Sequence, residues 1–338
     1  MIRHLRTRIL ESQILLLSCW LVGCTSTPHI YWTEFGSGQV NASIGNANPA
    51  TLASMSFAPA GIGADSYNLY WASPGNGTIN KLPMSGGTPQ ILADNLVGPY
   101  GVAVDSTSGT VYWTNTGDGT IRSVSGNGGV VTVVAQGQMD PLNIVVDSNN
   151  LYWTDPGKGT VMLCSKQNCN PIVLWSGTTA TDPALPWGIA VDTNNVYWTD
   201  SYTWNVYQEP ISGGTPITLV NDFNGGHPSI NSSNGQFQNF NPAGISVDAQ
   251  FVYWLDSGPE GGGSVNKVAI GGGTPTQLFV GAQGPMAIAL SDENIYWTDY
   301  LDGKIYWISK NCNSPCQPAV ISSGIEPGAI VVQNVFSW

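Results

Sequence analysis

Few side chains in this 338-residue chain can do chemistry, and most of those that can are repeated. After residue 24 there are two histidines, His29 and His227, and five glutamates, Glu34, Glu209, Glu260, Glu293 and Glu326. Four cysteines come as close pairs, Cys164 with Cys169 and Cys312 with Cys316, a spacing that suits either a four-cysteine zinc site or two local disulfides. Aspartates recur in two series: Asp155, Asp200, Asp256 and Asp299, and Asp65, Asp105, Asp147, Asp192 and Asp248. Carboxylate rows can bind calcium or form an acid–base pair, but one active site needs its residues once, and turn N–H groups are an equally good partner for Asp. No Gly-x-Ser-x-Gly, His-Glu-x-x-His or Gly-Lys-Ser/Thr motif occurs, and neither histidine has an identifiable partner. No catalytic residue and no metal ligand is therefore assigned.

The elements that carry these residues are set by a repeat. Tyr-Trp recurs at 31, 70, 112, 152, 197, 253 and 296, at spacings of 39, 42, 40, 45, 56 and 43, the period of a solenoid or propeller. Each unit reads as four short strands, A to D, as in Pro186-Trp-Gly-Ile-Ala-Val-Asp, Asn195-Val-Tyr-Trp-Thr-Asp, Asn205-Val-Tyr-Gln-Glu-Pro and Gly213-Gly-Thr-Pro-Ile-Thr-Leu-Val. With 41 Gly, 22 Pro and only 9% charged residues, the composition suits strands and tight turns and leaves no room for long amphipathic helices. A Tyr and a Trp at one place in every unit read as packing between sheets.

Tyr152-Trp-Thr-Asp, Tyr197-Trp-Thr-Asp and Tyr296-Trp-Thr-Asp, with looser copies at Tyr31, Tyr70, Tyr112 and Tyr253, resemble the YWTD repeat of the low-density lipoprotein receptor family. The resemblance runs from about residue 29 to the C-terminus and implies a β-propeller of four-stranded antiparallel blades. That family has six blades, whereas innermost strands are legible here at Gly61, Gly101, Asn143, Gly188, Gly244, Ala287 and Ala329. The expected fold is all-β, a seven-bladed β-propeller, with six blades as the alternative. Gly328-Ala-Ile-Val-Val is expected to close the ring against the N-terminal segments at His29, Gln39 and Thr51, which removes open sheet edges. Asn334-Val-Phe-Ser-Trp338 reads as an extra B strand that displaces Ile30 to Glu34 or lies outside the ring. In such a ring the two cysteine pairs face nearly opposite directions, so two hairpin disulfides, 164 to 169 and 312 to 316, are expected in place of zinc. No cofactor is expected; a structural calcium in the central channel is the alternative.

The N-terminus reads as an export signal: Arg3, Arg6 and Arg8 precede a short apolar run from Ile14 to Val22. The run ends in Leu21-Val22-Gly23-Cys24, which resembles the lipobox of bacterial lipoproteins and implies lipidation of Cys24 after removal of residues 1–23. The expected organisation is a signal peptide (1–23), a lipidated cysteine with a short tether (24–28) and one propeller domain (29–338), in the cell envelope and anchored to the outer membrane. Formal charge is −12, and −14 once the signal, with three Arg and one Glu, is gone, which disfavours nucleic acid and anionic headgroups as partners.

Departures from a repeat point to function better than the repeat does. The largest is Asn221 to Asn241, which accounts for the 56-residue spacing. In a propeller the D-to-A and B-to-C connections share one face, which places this insertion near Ser201 to Trp204, near 257–263 and near 177–186. Tyr100 and Trp187 then stand beside the channel on that face. Tyr100, Trp187, Tyr202, Trp204, Phe223, His227, Phe237 and Phe240 form the expected recognition surface for an envelope protein, peptide or glycan. The expected function is a monomeric, membrane-anchored binding or scaffold protein. The alternative is a propeller enzyme, either a metal-dependent hydrolase or lactonase or a histidine-using lyase, with its site at the channel.

Overall fold

A computed structural model describes residues 26–336, except 46, 56, 178–183, 222–241, 258–261 and 325. The described residues form 28 strands and no helix, in seven four-stranded sheets. The chain opens with β1 (Ser26–Glu34), β2 (Gln39–Ile44) and β3 (Ala50–Ser54). Blade 1 follows as β4 (Ile62–Ala64), β5 (Asn68–Ser73), β6 (Thr78–Pro83) and β7 (Gln90–Ala93), and blade 2 as β8 (Pro99–Asp105), β9 (Thr110–Asn115), β10 (Thr120–Ser125) and β11 (Thr132–Ala135). Blade 3 is β12 (Ile144–Val146), β13 (Asn150–Asp155), β14 (Thr160–Ser165) and β15 (Ile172–Ser176); blade 4 is β16 (Pro186–Val191), β17 (Asn195–Asp200), β18 (Asn205–Pro210) and β19 (Ile217–Val220). Blade 5 is β20 (Pro242–Val247), β21 (Phe251–Asp256), β22 (Gly263–Ala269) and β23 (Thr276–Ala282); blade 6 is β24 (Pro285–Leu290), β25 (Asn294–Asp299), β26 (Lys304–Ser309) and β27 (Ala319–Ser323). The last strand, β28 (Pro327–Phe336), returns to pair with β1, so blade 7 is ordered β28-β1-β2-β3. The propeller has seven blades, and the six-bladed alternative falls away.

One expectation is corrected here. Asn334 to Phe336 is neither an extra B strand nor a segment outside the ring: it continues the A strand of blade 7, with Asn334 opposite Pro28, Val335 opposite Thr27 and Phe336 opposite Ser26. Among the described residues pairing already holds at Ser26, before the Ile30 to Glu34 stretch, and these earlier residues supply the partners that keep the last strand in the ladder. Ser26, Thr27 and Pro28, read from sequence as tether, thus belong to β1.

Each B strand is buried along almost its whole length because it is sandwiched between neighbouring blades. All seven Trp of the Tyr-Trp repeat are essentially inaccessible. Every Tyr shares a buried cluster with the Trp of the following blade: Tyr70 with Trp113, Tyr112 with Trp153, Tyr152 with Trp198, Tyr197 with Trp254, Tyr253 with Trp297, Tyr296 with Trp32, and Tyr31 with Trp71. Each such interface removes two aromatic side chains from water, a non-directional gain that any wedge-shaped neighbour can supply. The Thr after the Trp adds direction. Thr114 Oγ1 accepts from Gly101 N (2.8 Å) and donates to Leu142 O of the next blade (2.7 Å), and Thr33, Thr154 and Thr199 donate in the same way to Ala60, Trp187 and Ala243 carbonyls. Blade 1 has Ala72 there, and Gly61 N instead reaches Tyr100 O directly at 3.0 Å.

Both aspartate series serve the architecture. At the ends of B strands, Asp155 accepts from Met139 N and Asp140 N, and Asp299 from Gln283 N and Gly284 N, tying each blade to the loop that enters it. At the A–B turns, Asp65, Asp147, Asp192 and Asp248 each accept from turn N–H groups and from the Tyr hydroxyl of their own repeat. Two also form interblade ion pairs, Lys166 with Asp105 (2.7 Å) and Lys310 with Asp248 (2.9 Å). Both lysines sit in the cysteine-bearing hairpins. The bonds Cys164–Cys169 and Cys312–Cys316 are formed, so four-cysteine zinc is ruled out by geometry, and closing loops this short contributes only modest stability.

Burial alone would raise the Asp105 carboxyl, but the Lys166 ammonium, the Ser108 hydroxyl and the Thr107 and Ser108 N–H groups outweigh it and hold the carboxyl below its usual range. A depressed carboxyl stabilises the fold above its unfolded pKa of ~3.9, and this is lost as pH falls through the folded value. Asp105→Asn is therefore expected to lower the thermal midpoint at pH 7, with the gap to the parent protein narrowing below about pH 4. A gap independent of pH, followed by circular dichroism, would count against the ion pair.

Candidate functional site

The seven innermost strands surround an axial channel, and each residue read from sequence as an A-strand marker lines it: Gly61, Gly101, Asn143, Gly188, Gly244, Ala287 and Ala329. Small residues are needed because the next blade packs directly against this strand: a Cβ on Gly101 or Gly188 would stand inside 3 Å of the Leu142 or Ala243 carbonyl oxygen. The two ends of the channel are distinguished by the turns. D–A loops and B–C turns share one end, shown by Leu96 N donating to Gly77 O, while A–B and C–D turns share the other, shown by Gly126 N donating to Gly109 O.

At the D–A end lies a cavity of about 260 Å³. The residue just before the A-strand marker decides its mouth: Tyr100, Trp187 and Met286 project there, joined by Phe35 from the B–C turn of blade 7. Below them the wall is Ile62, Val102, Ile144, Ile189, Ile245, Ile288 and Ile330, with Asn143 as a polar side chain. Asn143 Nδ2 is turned to Trp187 O (2.9 Å), which fixes the loop carrying Trp187. A second cavity of about 340 Å³ continues toward the A–B end, lined by Val, Ile and Ala with Ser246. Neither lining contains His, Asp, Glu or Cys, and among the described residues no group of three or more such side chains could hold a metal ion. The arrangement can receive an apolar or aromatic group; it offers no acid–base pair. Burial, and then the negative Asp140, raise the Tyr100 hydroxyl above its ordinary pKa, so it stays a neutral hydrogen-bonding tip at the mouth.

Around the cavity the same face exposes large apolar side chains in successive blades: Phe57, Val97, Met139, Leu185, Tyr202 and Leu301. Among the described residues the turns of the opposite face expose Tyr67 and Val130, with Ile44 at the end of β2. The D–A face is also acidic. Its described cations, Arg122, Lys158 and Lys304, are each held by a local carboxylate or carbonyl, while Asp94, Asp118, Asp140, Asp155, Asp200, Asp256, Asp299, Asp302 and Glu326 share that end.

Of the expected recognition residues, Tyr100 and Trp187 both line the cavity. Tyr202 and Trp204 lie in the B–C turn of blade 4, tied to the Trp187 loop through Asp200, which accepts from Leu185 N, Tyr202 N and Thr203 N, and through Ser201 N donating to Leu185 O. Burial raises the Asp200 carboxyl above its usual range despite these N–H donors. Phe223, His227, Phe237 and Phe240 fall outside the described residues. Phe35 and Met286 escaped the sequence reading. Met286 was legible, since it occupies the register of Tyr100 and Trp187; Phe35 was not, because its turn carries no repeated signal.

Trp204 is a departure in backbone as well as side chain. Five sister turns place Gly at this position with φ of +64 to +69° (Gly38, Gly77, Gly119, Gly159, Gly303), and Trp204 adopts φ +63° with the turn hydrogen bond that Gly38 and Gly119 make, Trp204 N to Asp200 O at 2.9 Å. In blades 7, 1, 2 and 6 a Cβ there would sit inside 3 Å of a carbonyl of the following D–A loop. Blade 4 is the one whose D–A connection is long, 21 residues from Val220 to Pro242 against two to nine elsewhere. A bulky residue held in the left-handed region costs about 1–2 kcal/mol, a strain found where side-chain placement matters more than stability.

No protein-family model matches the chain, and no curated protein matches it in sequence. Solved structures share the fold. A streptogramin B lyase superposes with a TM-score of 0.65 at 17% identity, covering 90% of this chain and 91% of that one. A chain of the nidogen/laminin complex gives 0.57 at 16% identity, over 90% and 98%, and AztD from Citrobacter koseri 0.53 at 12%, over 91% and 98%. One of these is an enzyme and one is part of a protein complex, so the likeness establishes the propeller and leaves function to the site.

Trp204→Gly removes the left-handed penalty and Trp204→Ala keeps it. The Gly variant is expected to melt at or above the parent temperature by calorimetry, and the Ala variant below it. The reverse order would show that the ring, not the backbone, sets the energetics of this turn.

Proposed function

We propose that the protein is an envelope-anchored binding protein whose D–A face holds a polypeptide partner, with one apolar side chain of the partner seated among Tyr100, Trp187, Phe35 and Met286. The observation that carries this reading is the cavity itself, walled by apolar side chains and rimmed by exposed ones, because contiguous apolar surface ringed by polar groups marks interaction sites. The acidic surroundings favour a partner with Lys or Arg flanking that anchor. A propeller lyase or lactonase needs histidines or a carboxylate set at the channel, and the described lining supplies neither. The lipobox at Leu21 to Cys24 supports lipidation of Cys24, an address in the cell envelope and attachment to the outer membrane. No nucleic acid or cofactor enters this reading, and the protein acts as a monomer.

Photo-crosslinking in cells tests it. A benzophenone amino acid at Met139 or Leu301 is expected to yield a partner adduct, and one at the outer-edge residue Ile91 none. Trp187→Ala or Tyr100→Ala should abolish the adduct, in keeping with the ≥2 kcal/mol typical of buried aromatic anchors. Salt should weaken capture, since exposed charges are screened within about 8 Å at physiological ionic strength. Adducts that form equally from Ile91, or that survive both alanine substitutions, would refute the assigned face.

A further inference from the structure

The first described residue of the chain, Ser26, is already paired, and this fixes where an N-terminal anchor leaves the propeller. β1 is the B strand of blade 7: it runs from the A–B end, where Ser26 faces Phe336, to the B–C end, where Glu34 faces Gln39. Ser26 is held at its start, with its Oγ donating to Asp292 Oδ2 at 2.8 Å; Asn334 Nδ2 donates to the other oxygen of the same carboxylate at 3.0 Å. One residue, Thr25, separates Ser26 from Cys24 in the sequence, a span of at most about 7 Å even fully extended. The nine-residue strand is about 30 Å long at ~3.3 Å per residue. An acyl group on Cys24 therefore cannot reach past the A–B and C–D end of the propeller.

From this we infer that the A–B/C–D face is the membrane-facing surface and that the bilayer of the protein's own anchor is its partner, leaving the cavity and its apolar rim pointing away from the lipid. The inference rests on the lipidation of Cys24 contained in the proposed function. The three exposed apolar side chains of this face fit such a contact: Ile44 lies in the anchored blade itself, Tyr67 in the A–B turn of blade 1 beside it, and Val130 in the C–D turn of blade 2. Tyr67 is 78% exposed and Val130 88%, so neither is engaged by the propeller. A tether this short does more than attach the protein: it converts a flexible leash into a fixed orientation, because two acyl chains hold the anchor in the bilayer at ~0.8 kcal/mol per buried methylene while the strand holds the other end.

The test uses the full acylated protein reconstituted in phosphatidylethanolamine/phosphatidylcholine vesicles doped with a headgroup nitroxide lipid. The propeller cysteines are paired in disulfides, so Tyr67→Cys and Leu301→Cys accept a thiol-reactive fluorophore one at a time. The Tyr67 probe is expected to be quenched severalfold more than the Leu301 probe. Inserting 20 Gly/Ser residues between Thr25 and Ser26 should erase the difference. Equal or reversed quenching in acylated protein overturns the orientation but not lipidation, and a difference that survives the insertion overturns the tether as its cause. Intact mass is read on the same sample: the absence of acyl groups on Cys24 would overturn both the anchor and the inference built on it.

Discussion

The rest of the molecule depends on one apolar interface made seven times, a buried cluster that holds the Tyr of each blade and the Trp of the next. No sheet can bury both of its faces alone, so each supplies half of two interfaces, and the set is complete only when Tyr296 meets Trp32 and Tyr31 meets Trp71. Aromatic burial gives the ring its energy but little direction. Direction comes from the Thr hydroxyls that join neighbouring A strands and from the Asp carboxylates that gather turn N–H groups, which is why side chains able to do chemistry are spent here on holding blades in register.

With the shared positions accounted for, the exceptions acquire meaning. The register that holds Ala60, Ala243 and Gly328 in three blades holds Tyr100, Trp187 and Met286 in three others, and the channel mouth is built from that substitution. The Trp204 position is Gly in most blades because the neighbouring loop comes too close for a Cβ. Its exchange for the bulkiest side chain occurs in the blade whose following loop is longest, and it sits two hydrogen-bonded steps from Leu185, two residues before Trp187.

The repeat was legible in the sequence because Tyr-Trp, the A-strand glycines and the turn aspartates each answer a local physical demand that recurs every 40 or so residues. Blade number followed from counting A strands, and the disulfides from the angular separation of the two hairpins. The last strand was not legible. Asn334 to Phe336 carries a B-like pattern, and only the extension of β1 back to Ser26, a pairing more than 300 residues distant in sequence, turns it into the end of an A strand. Phe35 escaped for the related reason that its place at the channel is set by ring geometry and not by its neighbours in the chain.

Blade 7 is assembled from strands at opposite ends of the sequence, and this has a kinetic side. Until β28 is available, β1 presents an unpaired inner edge and blades 6 and 1 lack the A strand between them, so the pairing most distant in sequence is also the one that closes the ring. Entropy of closing so long a loop grows only logarithmically with length, and the penalty is met once, at the end. Until that pairing forms, the chain is an open arc whose unpaired inner edge, on β1, could pair with any other extended segment it met.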